Sequence, residues 1–191
     1  MGMLEAGDRL PQRPHRVLVA GTSGAGKSTL AERIGRVLGI PYTELDSLFH
    51  GPDWVPRDSF EADVDRVIAA PEWVCEWQYG VVRARLAERA DLLVWIDLPR
   101  RTVLRQVITR TVRRRLRREE LWNGNLEGPL HTFFTDREHI VRWAWRQHHR
   151  TTEKVMSLHA HRPTLPIVRL RSRAEVERWS AELQRYQPDG L

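Results

Sequence analysis

The sequence predicts an α/β fold: a five-stranded parallel sheet in the order 2-3-1-4-5, sandwiched between helical layers. Three observations predict it. The glycine-rich stretch GTSGAGKST, residues 21–29, stands between a β-branched run and an amphipathic segment. Four further short apolar runs follow, spaced widely enough for helical crossovers. Three of those runs lead into Asp46, Glu76 and Asp97. Short apolar runs separated by helical periods are what strands buried on both faces of a parallel sheet require.

RVLVA, residues 16–20, reads as the first strand. Residues 27–38 then carry Leu30, Ile34, Val37 and Leu38 at helical spacing, and Gly39 supplies the C-cap. IPYTEL gives a second strand that ends in Asp46. The segment SLFHGPDWVPRDSFEADVDRVIAA opens as a loop rich in Gly, Pro and Trp and closes as a helix from about 59 to 69. PEWVCEW is the third strand, ending at Glu76, and DLLVWID is the fourth, ending at Asp97. A long helix runs from Arg100 to about Arg118, followed by LWNGNLEGPLHTFFTD and a further helix through about His159. TLPIVRL is the fifth strand, and RAEVERWSAELQRY closes the chain as an amphipathic helix. No repeat, low-complexity tract or linker divides the sequence, so residues 1–191 read as one domain.

Composition narrows the function classes. With 41% hydrophobic residues the chain has the makings of a soluble core, and no apolar run reaches the roughly 20 residues that span a bilayer. The start MGMLEAGDRLPQRPH lacks an apolar signal core, and Gly2 lacks the following Ser or Thr of a myristoylation site, so a cytoplasmic protein is expected. Cys75 is alone and reads as a small buried apolar residue. Neither His148 with His149 nor His159 with His161 has the i, i+4 spacing of a helical zinc pair. The net charge is +6, and of the 31 basic residues 29 are arginine, leaving only Lys27 and Lys154 as lysines.

Residues 21–28 match GxxxxGK[ST] at every fixed position, with a strand before and a helix after. In that context the loop Gly21, Ser23, Gly24, Ala25 and Gly26, with Lys27, Ser28 and Thr29, forms a phosphate cradle. Its amides and the helix N-terminus face the β-phosphate of a nucleotide, and Lys27 neutralises β and γ oxygens. The Ser28 hydroxyl ligates Mg²⁺. Ligands of such sheets bind beyond the carboxyl ends of the strands, where Asp46, Glu76 and Asp97 also fall. Asp46 is the candidate acceptor that orients an attacking hydroxyl. Glu76 is the candidate Mg²⁺ or water ligand. Asp97 is a third acid, equally suited to capping the next helix.

Arg110, Arg113, Arg114, Arg117 and Arg118 line one side of the long helix, opposite a stripe of Val103, Leu104, Val107, Ile108, Val112 and Leu116. Three readings stand for them. They form a solvated face that suits the helix C-terminus, or a lid that closes on a transferred phosphoryl group, or a nucleic-acid contact that no recognisable motif supports. Trp95, Trp143, Trp145 and Trp179 read as packing, whereas Trp54, Trp77 and Trp122 are candidates to line an acceptor pocket.

GTSGAGKSTLAERIG, ELDSLFHGPDW, WVCEWQY, DLLVWIDLPR, RTVRRRLRRE and ELWNGN together resemble the adenylate-kinase-like P-loop proteins often called topology modulation proteins. The resemblance covers about residues 16–180. It implies a nucleoside-kinase-like fold with a lid, ATP as donor, and an acceptor that is generally unestablished. Asp46 matches the family's acidic strand end, Arg110, Arg113 and Arg114 match its lid arginines, and Glu76 matches only as an acid. Arg171 and Ser172 match the segment that borders the adenine. Where relatives commonly carry DGNY, this chain has Glu76, Trp77, Gln78 and Tyr79, and Trp77 in place of Gly is expected to reshape the acceptor pocket.

The expectation is therefore an ATP- and Mg²⁺-dependent kinase with a nucleotide donor and a small hydroxyl- or phosphate-bearing acceptor. Its acceptor segment is expected at about 46–72 and its lid at about 110–135. The rivals are a nucleoside monophosphate kinase, for which Arg57, Arg83 and Arg85 are the available cations, and an ATP-binding or DNA-associated regulator with slow ATPase activity.

Overall fold

The computed structural model describes residues 2–117 and 140–187, with the side chains of 111, 114–117 and 140–148 outside that description. In chain order the elements are β1 (Arg16–Gly21), α1 (Lys27–Leu38), β2 (Tyr42–Thr43), α2 (Leu45–Phe49), a 3-10 turn (Pro52–Trp54) and α3 (Phe60–Ala69). They continue as β3 (Trp73–Glu76), α4 (Gly80–Arg89), β4 (Leu92–Ile96), α5 (Arg100–Arg117), α6 (Ile140–His161), β5 (Ile167–Leu170), α7 (Arg173–Glu182) and a final 3-10 turn (Leu183–Tyr186). All five strands pair in parallel in the order β2-β3-β1-β4-β5, as the sequence predicts.

The alternation of side chains along each strand builds two cores, one per face. Val17 and Val19 of β1, Val94 of β4 and Val168 of β5 meet Leu30 and Ile34 of α1, Val107 of α5 and Trp179 of α7. Leu18 and Ala20 of β1, Cys75 of β3 and Trp95 of β4 meet Phe60 and Val64 of α3, Val82 and Leu86 of α4, and Val155 of α6. Each such side chain contributes about 1.5–3 kcal/mol by leaving water. Cys75 is fully enclosed, and burial followed by the charge of Glu76 pushes its thiol well above the ordinary range. Leu4 hydrogen-bonds along the outer edge of β5, through its amide to the Ile167 carbonyl at 2.8 Å and its carbonyl to the Arg169 amide at 2.8 Å, and so covers that edge.

One element departs from expectation. The second strand is only Tyr42–Thr43, and Asp46 does not end it: Asp46 lies in the first turn of α2, a helix where a loop was expected. Gly35 of α1 explains the early end. A Cβ there would lie 2.7 Å from the Ile40 carbonyl oxygen and 3.2 Å from Tyr42 Cβ, so α1 presses directly on the start of this edge strand. Chain leaving so short a strand turns at once, and the acid is carried inward by a helical turn rather than by a strand end.

Candidate functional site

The loop between β1 and α1 follows from its glycines. Gly24 and Gly26 have φ of 80° and 97°, a left-handed conformation that side chains with Cβ rarely adopt. Gly24 is also constrained by packing, because a Cβ there would lie 2.1 Å from Val107 Cγ2 of α5. The loop therefore sits directly beneath the arginine-bearing helix. Gly26 caps α1, and around its ideal Cβ nothing lies within 4 Å, so space opens at the positive end of the helix.

Lys27, at that end, is half-buried. Burial lowers the pKa of its ammonium below the ordinary lysine range, Glu76 and Asp46 act in the opposite sense, and Arg110 adds to the lowering. All four groups thus belong to one electrostatic site. Two of the sequence-predicted acids are brought to Lys27; the third is not. Asp97 Oδ2 instead accepts from Arg169 Nε at 2.8 Å and Nη2 at 2.5 Å, and Arg169 also lies 4.5 Å over the Trp95 ring. Asp97 is an anchor between β4 and β5.

Glu76 is buried, with 1% of its surface exposed, at the carboxyl end of β3. Its Oε1 accepts from the Tyr42 hydroxyl at 2.8 Å and its Oε2 from the Leu45 amide at 3.3 Å. Ser28 also acts on the Tyr42 phenol, in the sense opposite to Glu76, so Ser28, Tyr42 and Glu76 lie together. Burial and then the charge of Glu76 drive the Tyr42 phenol far above its ordinary range, so the phenol remains a donor at any working pH. A hydroxyl and a carboxylate, both hard oxygen donors beside a phosphate cradle, fit Mg²⁺.

Asp46 is held from the other side. Its Oδ1 accepts from Gln78 Nε2 at 2.7 Å and from the Tyr79 hydroxyl at 2.5 Å, while Oδ2 has no hydrogen bond among the described residues. Tyr79 has φ 58° and ψ 109°, and its ring stacks on Phe49 at 4.3 Å and meets Phe60 edge-on at 5.0 Å. His50 Nε2 lies 3.5 Å from the Tyr79 hydroxyl, and the Trp54 ring, 39% exposed, stands 5.1 Å from His50. The aromatic wall beside Asp46 is therefore made by Phe49, Tyr79 and His50. The expected role of Trp77 is not found: its indole is buried in the core, with Nε1 donating to the Arg83 carbonyl at 3.1 Å.

Sequence reasoning missed Tyr42, Gln78 and Tyr79 as site residues. The signal for them was the acid in YTELD and EWQYG, since each acid has its donors within a few residues of a strand end. Arg110 is half-buried near Lys27 and Arg113 is exposed. The Arg114 side chain, Trp122, LWNGN and the lid beyond residue 117 lie outside the described residues. Ser172 caps α7, its hydroxyl accepting from the Glu175 amide at 3.1 Å, while Arg171 pairs with Glu5 at 3.0 Å and its amide donates to Glu175 at 2.7 Å.

No family model matches the chain, and no curated protein matches it. Among solved structures it is similar to a gluconokinase from Sinorhizobium meliloti 1021, at 23% identity over 76% of this chain and 98% of that one, with a TM-score of 0.39. It is similar to a shikimate kinase from Bacteroides thetaiotaomicron at 16% identity, over 90% and 97% of the two chains, with a TM-score of 0.49. A sugar kinase from Janibacter sp. HTCC2649 gives 18% identity, 92% and 94% coverage, and a TM-score of 0.46. Likeness at this distance carries no residue role across.

Proposed function

We propose that the chain is a single-domain, ATP- and Mg²⁺-dependent phosphotransferase acting on a small hydroxyl-bearing acceptor, and that it is a distant member of the topology modulation group its motifs resemble. The observation that carries this reading is the convergence of Lys27, Glu76 and Asp46 at one helix N-terminus, beneath a glycine loop of left-handed backbone. In the transfer, the acceptor oxygen forms a bond to the γ-phosphorus as the bond from that phosphorus to the β–γ bridging oxygen breaks. The hydroxyl proton passes to Asp46 Oδ2, and ADP leaves. Gln78 and Tyr79 fix Oδ1 so that Oδ2 faces outward. Lys27 balances the charge that shifts toward the β-phosphate, and Arg110 and Arg113, with Arg114, are the arginines assigned to the transferred group. Bound Mg²⁺ supplies charge neutralisation between the β and γ oxygens, with Ser28 and Glu76 as the residues that hold it directly or through water. Arg171 and Ser172 retain their assignment beside the adenine.

A nucleoside monophosphate kinase fits less well. It needs a second phosphate site, and of the three cations expected to serve it Arg57 is engaged with Asp63 at 3.2 Å and Arg85 with Glu61 at 2.5 Å and Asp65 at 2.7 Å, which leaves Arg83 of the three. No observation favours the regulator reading. Among the described residues no helix is long and apolar enough to cross a membrane.

The test is purified protein with Mg²⁺ and γ-labelled ATP against nucleosides, nucleoside monophosphates, sugars and hydroxy acids, scored by product mass. A phosphorylated small molecule is expected. ATP binding with only slow phosphate release across the whole panel would overturn the phosphotransferase reading in favour of the regulator.

A further inference from the structure

Resting on the reading that this site transfers a phosphoryl group, we propose that Arg83, Arg150 and Lys154 form an anion-binding subsite for a carboxylate or phosphate carried by the acceptor. The acceptor is then an anionic hydroxyl compound rather than a neutral one.

The cations of the acceptor half differ in their partners. In the acceptor half, Arg57 and Arg66 both pair with Asp63, and Arg85 with Glu61 and Asp65. Arg83 is half-buried and has no carboxylate partner among the described residues; its guanidinium instead lies 5.5 Å over the Trp77 ring. A guanidinium laid on an aromatic face keeps its fork of donors free for a planar or tetrahedral oxyanion. Lys154 of α6, also half-buried, stands one helical turn after Arg150, is acted on by the charges of Arg83 and Arg150, and has no acid partner among the described residues. Val155, its neighbour, lies in the same core as Trp77 and Val82, and Arg162, just past α6, donates to the Ala87 carbonyl of α4.

Three cations in one place repel one another, and burial makes their charge harder to keep. Burial pushes the Arg83 guanidinium down, and burial together with Arg83 and Arg150 pushes the Lys154 ammonium down. A solvated face would screen such charges instead of enclosing two of them. An oxyanion bound between them reverses the repulsion. The position also suits an acceptor. The Arg83 amide donates to the Tyr79 carbonyl at 3.1 Å, so Arg83 stands one helical turn from the tyrosine whose hydroxyl reaches Asp46 at 2.5 Å. An acceptor anchored by its anion on Arg83 and Lys154 lies beside Asp46.

The chain has only two lysines, so protein labelled with ¹³C at lysine Cε gives two side-chain signals, one for each half of the site. The protein is first saturated with ADP and Mg²⁺, which occupies the glycine loop, and then titrated with inorganic phosphate in one arm and acetate in the other. The Lys154 signal is expected to move along a saturating curve with at least one anion, and its pKa to rise. Whichever anion acts at lower concentration names the oxyanion. Arg83→Gln and Arg150→Gln are each expected to weaken that binding about tenfold, the size of one lost charge-assisted hydrogen bond. A Lys154 signal unmoved by both anions overturns the subsite, as does an unchanged titration in both variants. If Lys154 responds but Lys27 does not respond to ADP and Mg²⁺, the subsite stands and the phosphotransferase reading falls.

Discussion

Gly24→Ala tests the coupling between the phosphate loop and the arginine helix most directly. Two costs add at this residue. A Cβ at φ 80° meets the left-handed penalty of about 1–2 kcal/mol. That Cβ would also lie 2.1 Å from Val107 Cγ2, an overlap that α5 must relieve by moving, at about 1–3 kcal/mol. The expected loss is therefore about 2–5 kcal/mol, a large share of the 5–15 kcal/mol typical of a folded domain. Val107→Ala removes the offending methyl. The next atom, Val107 Cβ, stands at 3.4 Å, which is ordinary contact. On its own Val107→Ala costs about 1–2 kcal/mol for two buried methyl groups. In the double variant the overlap disappears and only the backbone penalty and the lost methyls remain, so the sum of the single losses should exceed the double loss by about 1–3 kcal/mol. Urea denaturation of the four proteins measures the cycle, and calorimetry of ADP with Mg²⁺ follows the loop. Single losses that add to within about 0.5 kcal/mol would refute the contact between loop and helix.

Lys27→Met should abolish the thermal stabilisation given by ADP with Mg²⁺ while leaving the unliganded protein no less stable, since burial already disfavours the ammonium; a collapse in Tm would contradict this. In the wild type, ADP affinity should fall as pH rises through the lowered Lys27 pKa, and unliganded stability should rise over the window from that pKa to the ordinary lysine value, because the unfolded chain there binds more protons. Asp46→Asn should lower turnover about 10²–10⁴-fold with nucleotide affinity unchanged, and an unaltered turnover number would reassign the base. Asp97→Asn should cost about 2–4 kcal/mol by breaking its pair with Arg169 yet spare kcat, and a loss of kcat without a loss of stability would return Asp97 to the site. Arg13 and His15 hold the Glu72 carboxyl below its ordinary range, so its stabilisation is present above the unfolded-state pKa and fades as pH falls through the folded one; Glu72→Gln should flatten that acid limb of a Tm profile.

The order of the sheet was legible because each strand is a short apolar run and each crossover a helical period, signals that do not depend on where side chains point. The shape of the glycine loop was legible for the same reason: it resides in backbone φ angles that the glycines themselves announce. The acceptor side was harder. Asp46 was found as an acid near a strand, but its place in the first turn of α2 depends on Gly35 letting α1 crowd the Ile40 carbonyl, a tertiary contact with no local pattern. Trp77 was expected at the pocket, and Tyr79, to which no role was given, stands there instead. In EWQYG both aromatics follow the strand, and which one enters the core is decided by the backbone turn at Tyr79, where φ is 58°. Asp97 stood as a third acid because it too follows a strand, and the arrival of Arg169 from β5 gives it another partner.

That turn at Tyr79 connects the two halves of the site. A non-glycine residue in such a conformation costs about 1–3 kcal/mol. Against this stand two aromatic contacts, to Phe49 and Phe60, at about 0.5–1.5 kcal/mol each, and a hydrogen bond to a carboxylate at about 1.5–3 kcal/mol. Together the contacts outweigh the strain, and loss of the hydrogen bond to the carboxylate brings the two about level. Phe49 and Phe60 come from α2 and α3, the hydroxyl partner from α2, and the strained residue itself opens α4. The proposed acceptor segment is consequently tied to the end of β3 where Tyr79, together with Gln78, holds Asp46. Relieving the strain by Tyr79→Gly would remove the ring and the hydroxyl at once, so the backbone would gain ease while Asp46 lost its orientation. Strain set at this place keeps the carboxylate fixed before any acceptor arrives, as a transfer step limited by positioning requires.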